Sequence, residues 1–312
     1  MKISFEGVCK EYHTPDLIKA LDNVSWSAQS GEVFGILGPN GAGKSTMLKV
    51  FLGIVRPNAG RVLVNDKPLS ELTAKLRSVV GYMPEERGLY QDETVLRQLV
   101  YLGMLKGLTH KESKKRSLDL LERFELSDWT NAKIAALSKG MSFKVQLIAC
   151  LVHTPQVVIL DEPFYGLDPV NIRLVRSVIC ELRSSGSLVL LSTHMMNEVE
   201  KLCDKIVMMY RGRIVVEGAV SEIQRKYGGD CIIVNKEACL EEIPFVVGID
   251  NTDHEKRIKL REGKTLYDLM RTIVDNQINI TMLQEALMPL EDVFVDIVKR
   301  NGEVDVKNSS AL

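Results

Sequence analysis

The sequence predicts an α/β domain built on a largely parallel sheet, followed by a small α+β domain. The apolar stretches VVIL (157–160) and SLVLLS (187–192) lack polar alternation, which is typical of strands buried on both faces of a parallel sheet. A helical stretch at 170–185 lies between them and completes a β–α–β unit. The composition changes at RKYGGD, so we predict a linker at 225–230 between the two domains.

The first domain is predicted to cover residues 1–224. Residues 2–37 contain short strand-like stretches, and residues 60–69 are typical of a hairpin that turns at Asn65-Asp66. Apolar residues recur at helical spacing within 92–153, which predicts a mostly helical region. A second hairpin, turning near Arg211-Gly212, comes close to the end of the domain.

The second domain is predicted to cover residues 231–300, with a polar tail at 301–312. CIIVN, the alternating RIKLR and INITML favour strands, whereas TLYDLMRTIVDN and LEDVFVDIVKR favour helices. No group of residues in this domain indicates catalysis. The pattern predicts a small α+β fold without chemistry of its own.

Composition excludes some classes of protein. The 312 residues carry a formal net charge of −1, which gives no support to nucleic-acid binding driven by bulk charge. The six cysteines form no CxxC pair and are expected to be reduced thiols, and the five histidines have no zinc spacing. No apolar stretch approaches the roughly 18 residues that cross a bilayer. A membrane function would therefore need a second chain.

A phosphate-binding loop follows the first apolar strand. GPNGAGKST (38–46) satisfies GxxxxGK[ST] between the apolar GEVFGIL and a helical stretch, which is the context that the motif requires. Glycines let backbone N–H groups point at phosphate oxygens, Lys44 can reach the β- and γ-phosphates, and the hydroxyl of Ser45 can ligate Mg²⁺. The predicted nucleotide-binding residues of the loop are Gly38, Pro39, Asn40, Gly41, Ala42, Gly43, Lys44, Ser45 and Thr46.

Two carboxylates end the strand VVIL, in the sequence VVILDEP. Ligands of parallel sheets gather at the carboxyl ends of strands. There Asp161 can hold Mg²⁺ through water, and Glu162 can orient or deprotonate an attacking water. Such a pair is weak evidence alone, but the phosphate loop upstream makes it a strong indication of nucleotide hydrolysis.

Three further motifs follow in order: LSKGM (137–141), YGLDP (165–169) and STH (192–194). Together with the phosphate loop and the paired acids they resemble the ATP-binding subunit of an ABC transporter, over about residues 2–220. The resemblance implies an ABC-type P-loop NTPase fold, with a mixed sheet core, an antiparallel β subdomain and a helical subdomain at about 92–153. It also implies ATP and Mg²⁺ as ligands.

The resemblance implies roles for further residues. Such domains close head-to-tail as dimers, in which Ser138 and Gly140 contact the γ-phosphate bound by the opposite subunit, aided by a helix expected to begin near Ser142. Asp168 is expected at the dimer seam. His194 is the expected holder of the γ-phosphate and the attacking water, and Tyr12 is a candidate to stack on adenine, with His13 as the alternative.

Three residues, at two sites, depart from the family pattern. The signature is usually LSGGQ, and Lys139 and Met141 replace Gly and Gln in it; Lys139 either helps to hold phosphate or points to solvent. Glu85, in GYMPEERGLY, stands where the family usually has a Gln that ligates Mg²⁺. We interpret Glu85 as a metal-proximal ligand, with an exposed loop acid as the alternative.

YMPEERGLY, LSKGM and MPLEDVFVDIV are also similar to the bacterial sodium- or drug-efflux ATPases, whose membrane subunit is a separate chain. The resemblance implies ATP hydrolysis that powers export at the cytoplasmic face of the membrane, through a transmembrane permease that docks at about residues 82–105. The ATPase would pair as a homodimer or with a different ATPase chain, without nucleic acid. An importer subunit, or a non-transport ATPase acting on ribosomes or DNA, is the alternative. The C-terminal module is either regulatory or a packing appendage.

Overall fold

A computed structural model of the chain describes residues 1–14, 16–86, 88–228, 230–235, 237–251, 255–261 and 263–309. The chain divides into two compact units, Met1–Gly218 and Ala219–Leu312. The division precedes the linker predicted at 225–230. The difference arises because residues 220–228 form helical turns that pack within the second unit rather than an extended connection.

The first unit contains ten strands and seven α-helices among its described residues. Its strands are β1 (Lys2–Thr14), β2 (Asp16–Gln29), β3 (Val33–Leu37), β4 (Ala59–Val64), β5 (Lys67–Pro68), β6 (Val80–Met83), β7 (Val157–Asp161), β8 (Leu188–Thr193), β9 (Lys205–Tyr210) and β10 (Arg213–Ala219). Its helices are α1 (Lys44–Phe51), α2 (Leu69–Val79), α3 (Val95–Leu105), α4 (His110–Arg123), α5 (Lys139–Leu151), α6 (Pro169–Ser184) and α7 (Met196–Leu202).

The central sheet has the strand order β10-β9-β3-β8-β7-β6. Strands β9, β3, β8, β7 and β6 pair in parallel, and β10 returns from β9 through the hairpin predicted at Arg211-Gly212. Every residue of β3, β7 and β8 is buried, which confirms the burial on both faces that the unalternated apolar runs predict. The carboxyl ends of the parallel strands therefore meet at one edge.

A second, antiparallel sheet has the order β2-β1-β4-β5. Its two long strands replace the several short strands expected within residues 2–37. The predicted turn between β4 and β5 is confirmed: Asn65 and Asp66 both have positive φ, at 49° and 61°. Two successive positive φ values suit the two-residue hairpin turns that follow the twist of antiparallel strands.

An aromatic stack joins the two sheets to the helix that follows the phosphate loop. The ring of Trp26 lies between Phe5 and Phe34, with centroid distances of 4.7 and 4.8 Å. The indole Nε1 of Trp26 lies 3.0 Å from the sulfur of Met47 in α1. Because these four side chains are buried, displacement of α1 would open the core.

Helices α3, α4 and α5 confirm the helical region predicted at 92–153. Helix α5 begins at Lys139, three residues before the start expected near Ser142. The reason is local: Ser138 is the N-cap, and its Oγ accepts a hydrogen bond from the Met141 N–H at 3.2 Å. Gly140 therefore lies in the first helical turn.

The second unit is a four-stranded antiparallel sheet with helices, in the strand order β12-β13-β11-β14. Its strands are β11 (Asp230–Asn235), β12 (Val246–Asn251), β13 (Glu255–Leu260) and β14 (Leu283–Leu287). Its helices are α8 (Val220–Ile223), a π-helical turn (Gln224–Gly228), α9 (Leu266–Asp275) and α10 (Leu290–Ser309). A separate apolar core, centred on Val234, Ile258 and Leu269, holds the sheet against α9.

Two expectations for this unit need correction. INITML (278–283) is not a strand: the side-chain Oδ1 of Asn235 accepts hydrogen bonds from the N–H groups of Thr281 and Met282, and sheet pairing begins only at Leu283. Helix α10 continues to Ser309, so most of the predicted polar tail is helical. Within the described ranges, none of the helices combines the length and the apolar character needed to cross a bilayer.

We predict that Trp26→Ala lowers the free energy of unfolding by about 3–5 kcal/mol, because it leaves a cavity where three layers meet. Trp129→Ala, at a side chain that is 37% exposed, is the matched control and should cost less than about 1 kcal/mol. Urea denaturation followed by circular dichroism measures both. Equal losses in the two variants would contradict the proposed role of the stack.

Candidate functional site

The phosphate loop lies between β3 and α1, and its glycines have conformations that other residues rarely adopt. Gly38, Gly41 and Gly43 have φ values of 151°, 79° and 106°. A Cβ on Gly38 would lie 2.4 Å from the Met209 carbonyl oxygen. The loop backbone therefore packs directly on its surroundings, and the N–H groups at the start of α1 have no partners within the helix.

Lys44 is the first residue of α1 and is almost entirely buried. Its Nζ donates a hydrogen bond to the Gly38 carbonyl at 2.7 Å, and lies 3.6 Å from Oε1 of Glu162. The second distance is that of an ion pair without a hydrogen bond. The ammonium is thus held between the loop and the carboxylates at the edge of the sheet.

The paired acids occupy the carboxyl end of β7. Asp161 is buried, and its Oδ1 has no hydrogen-bond partner among the described residues. Burial raises the pKa of Asp161, the charges of Glu162 and Glu85 raise it further, and Lys44 opposes them. Glu162 has a φ of 49°, a conformation that costs a residue with a side chain about 1–3 kcal/mol and persists where packing imposes it.

His194 follows β8, the strand next to β7. Its Nδ1 lies 2.9 Å from Oε2 of Glu162, a hydrogen-bonding distance, and its side chain is half exposed. Glu162 therefore contacts Lys44 with one oxygen and His194 with the other. Three predicted site residues, which come from three successive neighbours in the sheet, are brought together at its edge.

Glu85 follows β6, at the end of the sheet next to β7. The residue is exposed. Burial raises the pKa of Tyr82 to about 12, and the charges of Asp161 and Glu85 contribute. Because Glu85 acts on the pKa of both Asp161 and Tyr82, its carboxylate belongs electrostatically to the same cluster as the buried acids.

A cavity of about 170 Å³ lies over these acids. Its lining residues are Met83, Pro84, Glu85, Lys139, Phe143, Gln146, Asp161, Glu162, Pro163, Tyr165 and Leu167. Sequence reasoning missed two of them. Gln146 of α5 donates a hydrogen bond to the Pro84 carbonyl at 3.0 Å and so holds the Glu85 loop. Tyr165 presents its ring edge-on to His194, at a centroid distance of 6.2 Å. Neither contact has a local sequence signal.

The signature residues and Asp168 lie at the starts of two helices. Ser138 caps α5 and is exposed. Asp168 caps α6: it accepts hydrogen bonds from the N–H groups of Val170 and Asn171, both at 2.9 Å, and from the Asn171 side chain. These bonds, led by the Asn171 N–H, lower the pKa of Asp168. A Cβ on Gly140 would lie 3.0 Å from Nδ2 of Asn171, so the two helix starts pack closely.

Tyr12 lies in β1, opposite Ile18 of β2, with the ammonium of Lys10 at 5.2 Å from its ring centroid. The same hairpin reaches the phosphate loop, because a Cβ on Gly43 would lie 2.3 Å from the Ala20 carbonyl oxygen. The β1–β2 hairpin therefore packs against the phosphate loop, and Tyr12 lies on this hairpin. His13 follows Tyr12 and is exposed.

Two family profiles match the chain. The profile described as ABC transporter matches residues 21–165. The profile described as the C-terminal domain of DrrA1-3-like ATP-binding proteins matches residues 218–298. The first match lies within the first compact unit, and the second begins at the division between the two units.

Curated relatives match nearly the whole chain. An uncharacterised ABC transporter ATP-binding protein of Methanocaldococcus jannaschii is 40% identical, over 86% of this chain and 97% of that protein. The linearmycin resistance ATP-binding protein LnrL of Bacillus subtilis is 33% identical, over 95% of this chain and 97% of that one. The Nod factor export ATP-binding protein I of Mesorhizobium japonicum is 32% identical, over 96% and 88%.

Solved structures share the fold. The ATP-binding subunit of an ABC transporter superposes with a TM-score of 0.67 and 31% identity, over 73% of this chain and 94% of that one. A dimeric ATP-binding cassette in a post-hydrolysis state, bound to ADP and phosphate, superposes with a TM-score of 0.63 and 26% identity, over 70% and 98%. With the loop, the strand-end acids and the relatives in agreement, the chain belongs to the family of ATP-binding subunits of ABC transporters.

Proposed function

We propose that this chain hydrolyses ATP to power export through a separate transmembrane partner, at the cytoplasmic face of the cell membrane. The observation that carries the proposal is the convergence at Glu162, whose two carboxylate oxygens face Lys44 and His194. A phosphate-binding cation, a candidate base and a second polar group thus meet beside a loop shaped for phosphates.

The loop and Lys44 bind the polyphosphate of ATP. Lys44 now donates to the Gly38 carbonyl, which is a neutral acceptor. Phosphate oxygens are charged acceptors and bind an ammonium about twice as strongly. When ATP binds, Lys44 therefore exchanges a weaker acceptor for a stronger one. The buried position of Lys44 increases that gain, since the surrounding dielectric constant is low.

Glu162 and His194 act on the attacking water. Glu162 is the general base: its Oε1 is buried and has no hydrogen-bond partner among the described residues, so it can accept the proton of a water placed beside the γ-phosphate. His194 bonds the other oxygen of Glu162 and orients it. The other ring nitrogen of His194, Nε2, can then hold the γ-phosphate and the water in line.

The residues present fit a Mg²⁺ ion that arrives with the nucleotide. Among the described residues, no three His, Cys, Asp or Glu side chains are grouped as ligands of their own, so most ligands must be phosphate oxygens and water. The unpartnered buried Oδ1 of Asp161 is available to a metal-bound water. Ser45 and Glu85 would contribute the remaining oxygens. When bound, the ion neutralises charge that develops on the phosphates.

A dimer completes the site. Ser138 and Asp168 are exposed helix caps, and a related cassette is dimeric with ADP and phosphate bound. We propose that these residues and Gly140 meet the nucleotide held by a second subunit, which is either a copy of this chain or a different ATPase. Hydrolysis would remove the γ-phosphate contacts and allow reopening.

The permease is proposed to dock on the groove beside α3. This groove has a volume of about 520 Å³ and is lined by Tyr90, Gln91, Asp92, Glu93, Arg97, Gln98 and Tyr101. The two tyrosines are 62% and 50% exposed, which is unusual for such large rings and typical of interaction surfaces. Oε1 of Gln98 accepts a hydrogen bond from the Tyr90 N–H at 3.1 Å, which holds Tyr90 at the groove.

Export is favoured over import by the relatives' names. LnrL is named for linearmycin resistance and the Mesorhizobium protein for Nod factor export, and both match this chain over both of its units. The DrrA1-3-like profile on the second unit points in the same direction. An ATPase that acts on ribosomes or DNA finds no support in these matches.

We predict that Glu162→Gln lowers kcat for ATP hydrolysis by at least about 100-fold, because the amide cannot accept the proton. ATP binding should persist, and ATP should drive the variant into a dimer that sedimentation velocity detects. Glu181→Gln, at an exposed acid on α6, is the control and should hydrolyse ATP as the wild type does. Loss of ATP binding in Glu162→Gln, or unchanged kcat, would refute the assigned role.

We predict that Tyr101→Glu weakens binding to the native membranes of the source cell. The amount of the chain that pellets with these membranes should fall by about fivefold or more. The cause is a charge placed on an aromatic docking surface. The ATPase activity of the purified variant should stay unchanged. Leu118→Glu, at an exposed apolar residue of α4, should pellet like the wild type. Equal pelleting of both variants would place the permease elsewhere.

A further inference from the structure

Lys139 reaches across a glycine of its own chain. Its residue is exposed, yet a Cβ on Gly166 would lie only 2.5 Å from the Nζ of Lys139. Gly166 has a positive φ of 66°, a backbone conformation that favours glycine. The ammonium therefore lies on the YGLDP turn, close to the end of β7. Of the two alternatives for Lys139, a side chain directed only at solvent does not describe this position.

The ammonium shares a cavity with three carboxylates of the same chain. Lys139 lines the 170 Å³ cavity together with Glu85, Asp161 and Glu162. Lys44 is also nearby, and its Nζ lies 3.6 Å from Oε1 of Glu162. Two of the three residues that depart from the family pattern, Lys139 and Glu85, thus line one small cavity.

The opposite charges of Lys139 and Glu85 explain why these two departures from the family pattern belong together. Glu85 adds a negative charge where the family has a neutral amide, and that charge acts on Asp161. ATP is a polyanion, so each added carboxylate opposes its entry when no metal ion accompanies it. A lysine in the same cavity offsets the added charge without altering the carboxylates that the reaction uses. The signature position supplies that lysine.

We propose that Lys139 is a positioning residue for the nucleotide site of its own chain, where its charge offsets that of Glu85 and allows the polyphosphate to enter. The inference rests on the proposed function, since it concerns ATP at the same site. It differs from the expected role of the signature segment, which is directed at the nucleotide of the opposite subunit.

A double-mutant cycle tests the coupling between the two residues. ATP affinity is measured by titration calorimetry in EDTA for the wild type, Lys139→Met, Glu85→Gln and the double variant. Sedimentation must show monomers, so that no second subunit contributes. We expect Lys139→Met to weaken ATP binding by about two- to fivefold, the range of an exposed charge pair. In the Glu85→Gln background the same change should weaken binding less than about 1.5-fold.

Salt and a matched lysine provide the controls. Raising the salt concentration should shrink the effect of Lys139→Met, because exposed charges are screened. Lys133→Met removes an exposed lysine that does not line the cavity, and should leave ATP affinity unchanged. A uniform effect of all lysine removals would instead indicate bulk charge and would overturn the proposal.

The outcomes separate this inference from the proposed function. A wild-type chain that binds ATP while Lys139→Met binds equally well, or loses the same factor in both backgrounds, overturns the role of Lys139 alone. A wild-type chain that binds ATP with Mg²⁺ but not in EDTA also overturns the inference alone, whereas one that binds no ATP even with Mg²⁺ contradicts the proposed function, and the inference with it.

Discussion

The tight packing of the phosphate loop is the constraint on which the site depends. A Cβ at Gly38 would meet the Met209 carbonyl at 2.4 Å, and one at Gly43 would meet the Ala20 carbonyl at 2.3 Å. Carbonyl groups of two flanking strands thus set the path of the loop, and side chains at these positions would displace it. Because the path is set, Lys44 starts its helix at a distance from which it reaches both the loop and Glu162. The chemistry follows from that placement.

The rest of the first unit holds that placement rigid. The buried parallel strands bring Glu162 and His194 to one edge, and the Trp26 stack ties α1 to both sheets. The positive φ of Glu162 adds strain, which the surrounding packing compensates. The helix caps Ser138 and Asp168 and the tyrosines of the groove beside α3 lie outside this buried core and are exposed.

Prediction from sequence succeeded where local pattern and tertiary context agree. The buried strands β7 and β8 and the turn at Asn65-Asp66 were predictable from the sequence. Their burial and backbone conformation are determined by residues that are adjacent in the chain. INITML failed because a distant side chain, Asn235, takes the N–H groups that a strand would pair. The roles of Tyr165 and Gln146 were not predicted, because each depends on a contact between segments that are distant in the sequence. Such a contact leaves no motif or residue spacing in the sequence. Contacts of this kind were not predictable from the sequence.

The central claim is that Lys44 in the glycine loop holds the triphosphate. Titration calorimetry of Mg-ATP against the wild type and Lys44→Ala tests it most directly, with circular dichroism as a check that both are folded. We expect saturable binding by the wild type, and at least about tenfold weaker binding by Lys44→Ala, because a buried charge-assisted hydrogen bond of about 1.5–3 kcal/mol is removed. Equal affinity in the two folded proteins would contradict it.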